Sequence, residues 1–422
     1  MLPLLLLTGL TLVVAAGLKA HCLTTDWTLG HQPKSCYNDI QTLWYQRDMG
    51  AHEAPYQGAV VHAVDRAGHE VIRLGAGQIE YPVVTGVFAW ASALPVNTAN
   101  GFWIVTALAL TPFALLSVIP LYRLAGSRAW LYALSPQLAA YAYLNWDVLP
   151  VAATAAALWT WRKQQLILTG VLLSIGACAK IYPGFLLLPF LIALLLNHRA
   201  RDAAKLIGAA VVTAGVLNLP FMLVNYNGWY GPYAMQAKRV NDRTTNSLWY
   251  WIFRADQTSI ANLCAWAAVF ALWAVLIYLG YQRYKREDSF PAVAVAGAMV
   301  AGYIAIGRVD SPQYGLWVVL FLVVLTVPWR WIITFIVTDL WLWGQWSWLW
   351  GTPVFMGNAA MAARGLTVLA LAFVMVRSGE VRKAEVNNQP SNPQTSTGTA
   401  AWRTPSMSSV GMDEGTSALP GT

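Results

Sequence analysis

Charge is what this chain has least of: Asp, Glu, Lys and Arg make up 11% of its 422 residues, where a soluble domain carries roughly 25%. So few charges cannot cover a water-facing surface around a sequence that is 57% hydrophobic. The apolar excess must face lipid, and a single packed soluble core is excluded. The motifs of nucleotide and hydrolytic chemistry are missing too. There is no GxxxxGK[ST] phosphate loop, GxGxxG, GxSxG or HExxH, which argues against an ATP motor, a hydride enzyme, a serine hydrolase and a zincin. The four cysteines show no zinc-ligand spacing and the six histidines no cluster, so neither a metal nor another cofactor is expected. Internal repeats and heptads are also absent.

What is present is a series of apolar runs, near 2–18, 101–122, 129–144, 148–161, 165–179, 183–197, 204–224, 262–281, 290–307, 312–328, 331–347 and 354–376. The pattern predicts an all-α polytopic membrane protein with about twelve transmembrane helices. The net charge of +8 then reflects Lys and Arg on the cytoplasmic side, not nucleic-acid binding. Connections holding Arg123 and Arg128, Arg162 and Lys163, Arg199, Arg201 and Lys205, Arg283, Lys285 and Arg286, and Arg330 alternate with charge-poor ones. If the basic set is cytoplasmic, so are both termini, in the plasma membrane. A full crossing at 81–95 would invert that bias, so this segment reads as re-entrant or interfacial. The first run has the length of a signal peptide but lacks a basic n-region, which favours an anchor.

The expected organisation is an anchor at 1–20, an extracytoplasmic loop at 21–97, a helix bundle at 98–377 and a disordered cytoplasmic tail at 378–422, rich in Asn, Gln, Pro, Ser, Thr and Gly. Cys22 and Cys36 share the long loop, where the compartment permits a disulfide. Cys178 and Cys264 fall in apolar runs and read as packing residues.

Candidate chemistry collects where polar residues meet the ends of spans on the expected outer face. Asp39, in Cys36-Tyr37-Asn38-Asp39-Ile40, suits a general base near the membrane plane, or else a helix cap or solvated loop acid. Glu80 and Tyr81 precede Pro82 at the mouth of the short apolar segment, as a turn or a site edge. Asn145-Trp146-Asp147 lies in a tight connection, where an acid either caps the next helix or serves a site. Lys180, beside a helix break at Tyr182-Pro183, either grips a phosphate as a lone cation or snorkels. Arg239 and Arg243 run against the positive-inside trend and suit an anionic headgroup or diphosphate, with Trp249, Tyr250 and Trp251 at the interface. Arg308 and Asp310 precede Gln313 and Tyr314, and could pair with each other for purely structural reasons.

Taken in order, CYNDI, Pro55-Tyr56, EYPVVTG, LNWDVLPVA, AKIYP, NSLWYW and SPQYGLW resemble bacterial members of glycosyltransferase family 87, the polyprenol-phosphate-mannose-dependent transferases of the GT-C superfamily. The resemblance runs from Cys36 to Trp317. It implies a multi-span fold, an outer-face site, a polyprenyl-phosphate sugar donor and a first-loop aspartate base, which maps onto Asp39. Lys180 and Tyr182 match the family's Lys-x-Tyr-Pro motif, and Ser311, Gln313 and Tyr314 its late SPQY motif. One departure is a tyrosine-proline motif with a single proline where many members have two.

Both lines meet in an inverting transfer of a sugar, mannose by the resemblance, to an envelope glycolipid or polysaccharide. Asp39 takes the acceptor proton while cations stabilise the leaving phosphate without a metal, Lys180 together with Arg239, Arg243 or Arg308. Tyr37, Asn38, Glu80, Tyr81, Asn145, Asp147, Tyr182, Gln313 and Tyr314 complete the expected substrate contacts, and the donor tail lies among membrane lipids. Against this stand a transporter or flippase, expected to carry charges near mid-bilayer, and a structural subunit, which would leave the clustering of polar residues unexplained.

Overall fold

The computed structural model describes residues 1–24, 36–64, 68–347 and 354–381. The expected tail therefore falls, beyond residue 381, outside the described residues. The described chain is mostly helical. Helix α1 (Leu2–Ala20) leads by the Cys22–Cys36 disulfide to α2 (Asp39–Gln46). After a hairpin come α3 (Val83–Ala93), α4 (Ala99–Ala125), α5 (Trp130–Ala133), α6 (Pro136–Tyr141), α7 (Val148–Arg162) and α8 (Leu166–Ala179). Then follow α9 (Tyr182–Phe185), α10 (Leu187–Leu196), α11 (Ala200–Val224), α12 (Tyr226–Lys238) and α13 (Trp249–Ile252). The last five are α14 (Thr258–Glu287), α15 (Ala292–Ile306), α16 (Gly315–Val324), α17 (Trp329–Ser347) and α18 (Val354–Arg377).

Among the described residues, five helical stretches are long and apolar enough to cross a membrane: Leu2–Leu23, Ala99–Ala133, Ala200–Val224, Ala255–Glu287 and Val354–Arg377. Shorter apolar helices stand beside them, Val83–Ala93 among them, where the sequence suggested a re-entrant or interfacial segment. This is the architecture of a polytopic helical membrane protein. The apolar residues sort by helix face. On α1, Leu6, Leu10 and Val13 are exposed while Leu4, Thr8, Leu12 and Ala15 are buried, the pattern of a helix with one lipid-type face and one packed face. On α15 and α16 nearly every side chain is buried, so these two form the centre, as helices hydrophobic all round must.

Two departures from the sequence reading have local causes. The run at 129–144 is not one helix. Pro136 disfavours helical geometry at Ser135, and Ser135 instead starts α6 by accepting hydrogen bonds from the backbone of Gln137 and Leu138. Nor is the chain all-α: strands β1 (Val60–Val64) and β2 (Glu70–Leu74) pair antiparallel, Val60 opposite Leu74 and Val64 opposite Glu70. Three of the five β1 residues are valine, whose branched side chains favour the pleated strand.

The hairpin loop is tied to the bundle around Tyr56. The Tyr56 hydroxyl donates to the Tyr81 carbonyl at 2.7 Å. It also lies against Gly86 of α3, where any β-carbon would collide with it. Helix α12 closes the other side, with Lys238 paired to Glu70 at 2.8 Å, and the ammonium holds the Glu70 carboxyl below its usual range. The loop is thereby fixed beside one end of the bundle, and that end carries the candidate site.

Candidate active site

Asp39 is the first residue of α2. The cap is its neighbour Asn38, whose side chain accepts from the Gln41 backbone at 2.8 Å. With capping done by Asn38, the Asp39 carboxylate is left to be held from outside the helix. Oδ1 accepts from the Tyr37 hydroxyl at 2.6 Å. Oδ2 accepts from the side-chain amides of Asn145 and, at 3.3 Å, Gln313. The Asp39 backbone N–H is bound by the Leu144 carbonyl at 2.9 Å. The Asp39 charge beside it pushes the Tyr37 phenol above its usual value, so it stays a donor. Two groups behind this loop lie in α1 and just beyond it: Lys19 donates to the Tyr37 carbonyl at 2.9 Å, and Cys22 bonds to Cys36. That disulfide takes up both thiols of the one His/Cys cluster among the described residues, His21, Cys22 and Cys36.

Lys180 is not a lone cation. It is salt-bridged to Asp147 at 2.8 Å. The other Asp147 oxygen accepts from the Trp317 indole N–H at 2.7 Å, so this acid makes no side-chain cap for α7. The ammonium lies 5.5 Å from the Tyr81 ring centre, 5.4 Å from Tyr314 and 5.9 Å from Trp317, within cation–π range of three faces. Tyr182 and Tyr314 stack on the two sides of Trp317 at 4.2 and 3.9 Å. Tyr182 is fully buried and its hydroxyl accepts from Thr154, so it supports the cage from behind.

Asp39 and Lys180 are joined through Tyr81. Its hydroxyl accepts from Asn145 at 2.9 Å, the same amide that binds Asp39, while its ring faces Lys180. Burial, and next the Asp39 charge, raises the Tyr81 phenol well above its ordinary value. The Tyr81 hydroxyl keeps its proton.

The remaining candidates have other partners. Glu80 pairs with Arg47 at 2.7 Å. Arg239 hydrogen-bonds Thr244 at the surface, with its charge acting on the Tyr37 phenol. The Arg243 guanidinium lies against Gly357 of α18. Arg308 does not pair with Asp310: its two terminal nitrogens each donate at 2.5 Å to main-chain carbonyls, Arg239 and Gln236. A buried guanidinium satisfied by two carbonyls clamps the backbone, because carbonyls there meet its need for acceptors.

Asp310 is bound instead by Arg364 of α18, which also binds Asp339 of α17 at 2.7 Å. These two residues escaped the sequence reading, which expected polar groups at one face only. The available signal was their position inside apolar runs, where ionisable residues mark function by default.

A family model described as glycosyltransferase family 87 matches residues 81–306, more than half of the chain. No curated protein sequence matches. The matched span holds Tyr81, Asn145, Asp147, Lys180, Tyr182, Arg239 and Arg243, while Asp39, Arg308, Gln313 and Tyr314 lie outside it. The chain belongs to glycosyltransferase family 87, and its activity is sugar transfer from a donor to an acceptor.

Proposed function

We propose that this glycosyltransferase moves a sugar, mannose by the resemblance of its motifs, from a polyprenyl-phosphate donor to a glycolipid or polysaccharide of the cell envelope, by inverting direct displacement. One observation carries the reading: Asp39 and Lys180, a carboxylate and a cation, flank the same tyrosine, Tyr81, through Asn145 on one side and the ring face on the other. A sugar phosphate bound beside Tyr81 would have a base next to the incoming hydroxyl and a cation next to the departing phosphate.

In this mechanism the acceptor oxygen forms its bond to the anomeric carbon from the face opposite the phosphate. The anomeric C–O bond to phosphate breaks, its electron pair leaves with the lipid phosphate, and the acceptor proton passes to Asp39. General-base catalysis of this kind contributes about 10² to 10⁴-fold. The phosphate needs no acid, because a fixed cation meets the developing charge. Lys180 serves that role with Arg239, whose charge also acts on Tyr37, while Arg308 is taken up by two main-chain carbonyls and Arg243 lies against Gly357. Tyr37, Asn145 and Gln313 orient the carboxylate, and Tyr314 and Tyr81 wall the sugar-phosphate.

The reading places this site on the outer face of the plasma membrane, with about twelve crossings, an anchor at 1–20, a loop at 21–97 and a cytoplasmic tail after the bundle. The alternation of basic connections along the sequence supports it. The test has two arms: transfer from synthetic polyprenyl-phosphate mannose by the purified protein, and mass spectrometry of envelope glycolipids from a deletion strain. Donor consumption and one glycolipid class missing a hexose are expected. An intact glycolipid profile with no donor turnover would overturn the donor and acceptor assignments.

A further inference from the structure

The two amides that bind Asp39 Oδ2 come from segments far apart in sequence, Asn145 after α6 and Gln313 before α16. Behind them lies a charged cluster that belongs to neither segment alone. Arg364, Asp310 and Asp339 are all buried, with Arg364 and Asp339 wholly so. The Arg364 guanidinium binds both oxygens of Asp310 and one of Asp339, and donates to the Pro312 carbonyl at 3.3 Å. Pro312 is the residue before Gln313. Asp339 in turn accepts from the Tyr141 hydroxyl at 3.1 Å and packs against Gly315, where a β-carbon would collide with its carboxylate. On the other side, the Tyr141 carbonyl accepts from Leu144 N–H, and the Leu144 carbonyl accepts from Asp39 N–H.

We infer that Arg364, through Asp310 and Asp339, and Tyr141 are positioning residues for the reaction: they lock the Asn145 and Gln313 segments to one another and so set the direction of the Asp39 carboxylate. Buried ion networks are poor sources of net stability, since desolvation offsets most of their attraction. Their better use is to fix one arrangement, and here the arrangement fixed is the pair of donors on Oδ2. The inference rests on the reading of Asp39 as base.

Tyr141→Phe removes one hydroxyl and leaves every charge in place. Arg364→Lys keeps the charge but loses the fork that spans two carboxylates and a carbonyl. Both variants are assayed as purified full-length protein with synthetic polyprenyl-phosphate mannose, beside Asp39→Asn and the Asp39→Asn/Tyr141→Phe double variant. Coupling through packed networks is commonly 0.5–2 kcal/mol, so kcat should fall by about two- to thirtyfold in Tyr141→Phe with donor KM unchanged. In the Asp39→Asn background the same change should cost almost nothing, because the group it positions is gone. Full kcat in a folded Tyr141→Phe, a loss seen only in KM, or an equal loss with and without Asp39 would each overturn the inference. Retained turnover in Asp39→Asn alone would instead remove the base reading on which it stands.

Discussion

Asn145 donates to the carboxylate of Asp39 across 106 residues of sequence. Tyr37 and Gln313 also donate to that carboxylate, so its surroundings are assembled from three separate segments. A carboxylate held this way has little freedom to turn toward solvent. Its orientation is a property of the whole site end of the bundle.

Asp39→Asn should keep fold and hydrogen-bond geometry yet lower turnover at least about a hundredfold, the size of a lost general base. Asp48→Asn is the matched control. Asp48 sits at a positive φ of 50°, which Asn tolerates well, so neither folding nor activity should change much. Steady-state transfer rates with monodispersity checks decide it, and near-normal turnover of the Asp39 variant would sink the base assignment.

Lys180→Ala leaves Asp147 buried without its partner, a loss of about 3–5 kcal/mol for such pairs, and should lower the thermal midpoint as well as donor use. Lys180→Met combined with Asp147→Asn removes both charges and should recover most of the midpoint. If donor use recovers with it, Lys180 acts only in packing. If donor KM stays raised by about tenfold or more, the size of one charge-assisted contact, it holds the phosphate.

Reduction of Cys22–Cys36 should loosen the loop that carries Asp39, since the bond closes on the residue before Tyr37. Disulfides contribute about 2–4 kcal/mol. We expect a lower midpoint and lower turnover in Cys22→Ser/Cys36→Ser, measured by calorimetry and transfer assay. Indifference of both to the double substitution would show that Lys19 and the capping of α2 suffice.

Single cysteines at Lys238 and Lys205, in a background with Cys178 and Cys264 replaced by Ala, test the orientation. An impermeant maleimide added to intact cells should label position 238 and spare position 205. The reverse pattern would place the Asp39 end of the bundle in the cytoplasm and rule out an outer-face site.

The sequence carried the ingredients of this site better than its wiring. CYNDI stood out as an acid among aromatics in the first loop, and NWD, KIYP and SPQY as polar residues at the ends of apolar runs, beside a proline or an aromatic. Partner choice was hidden, because it depends on which helices pack together. Asp310 takes Arg364 from 54 residues away, while its near neighbour Arg308 serves carbonyls of the 236–239 segment. Lys180 looked solitary because Asp147 is 33 residues earlier. The hairpin was obscured for a different reason: its five-residue strands are too short to stand out inside a long loop.

Helix α14 has 30 residues, and at about 1.5 Å per residue it is a rod roughly 45 Å long. Its first residue, Thr258, receives a hydrogen bond from Asn241 beside the Arg308 clamp. Its last turns place Arg283 against the carbonyls of Val376 and Ser378. A bilayer measures about 40–45 Å through hydrocarbon and headgroups together. A rod of that length, set upright in a bilayer, would reach from one headgroup layer to the other, and the lipid-borne donor of the proposed reaction would then meet the site end by lateral diffusion within its own leaflet.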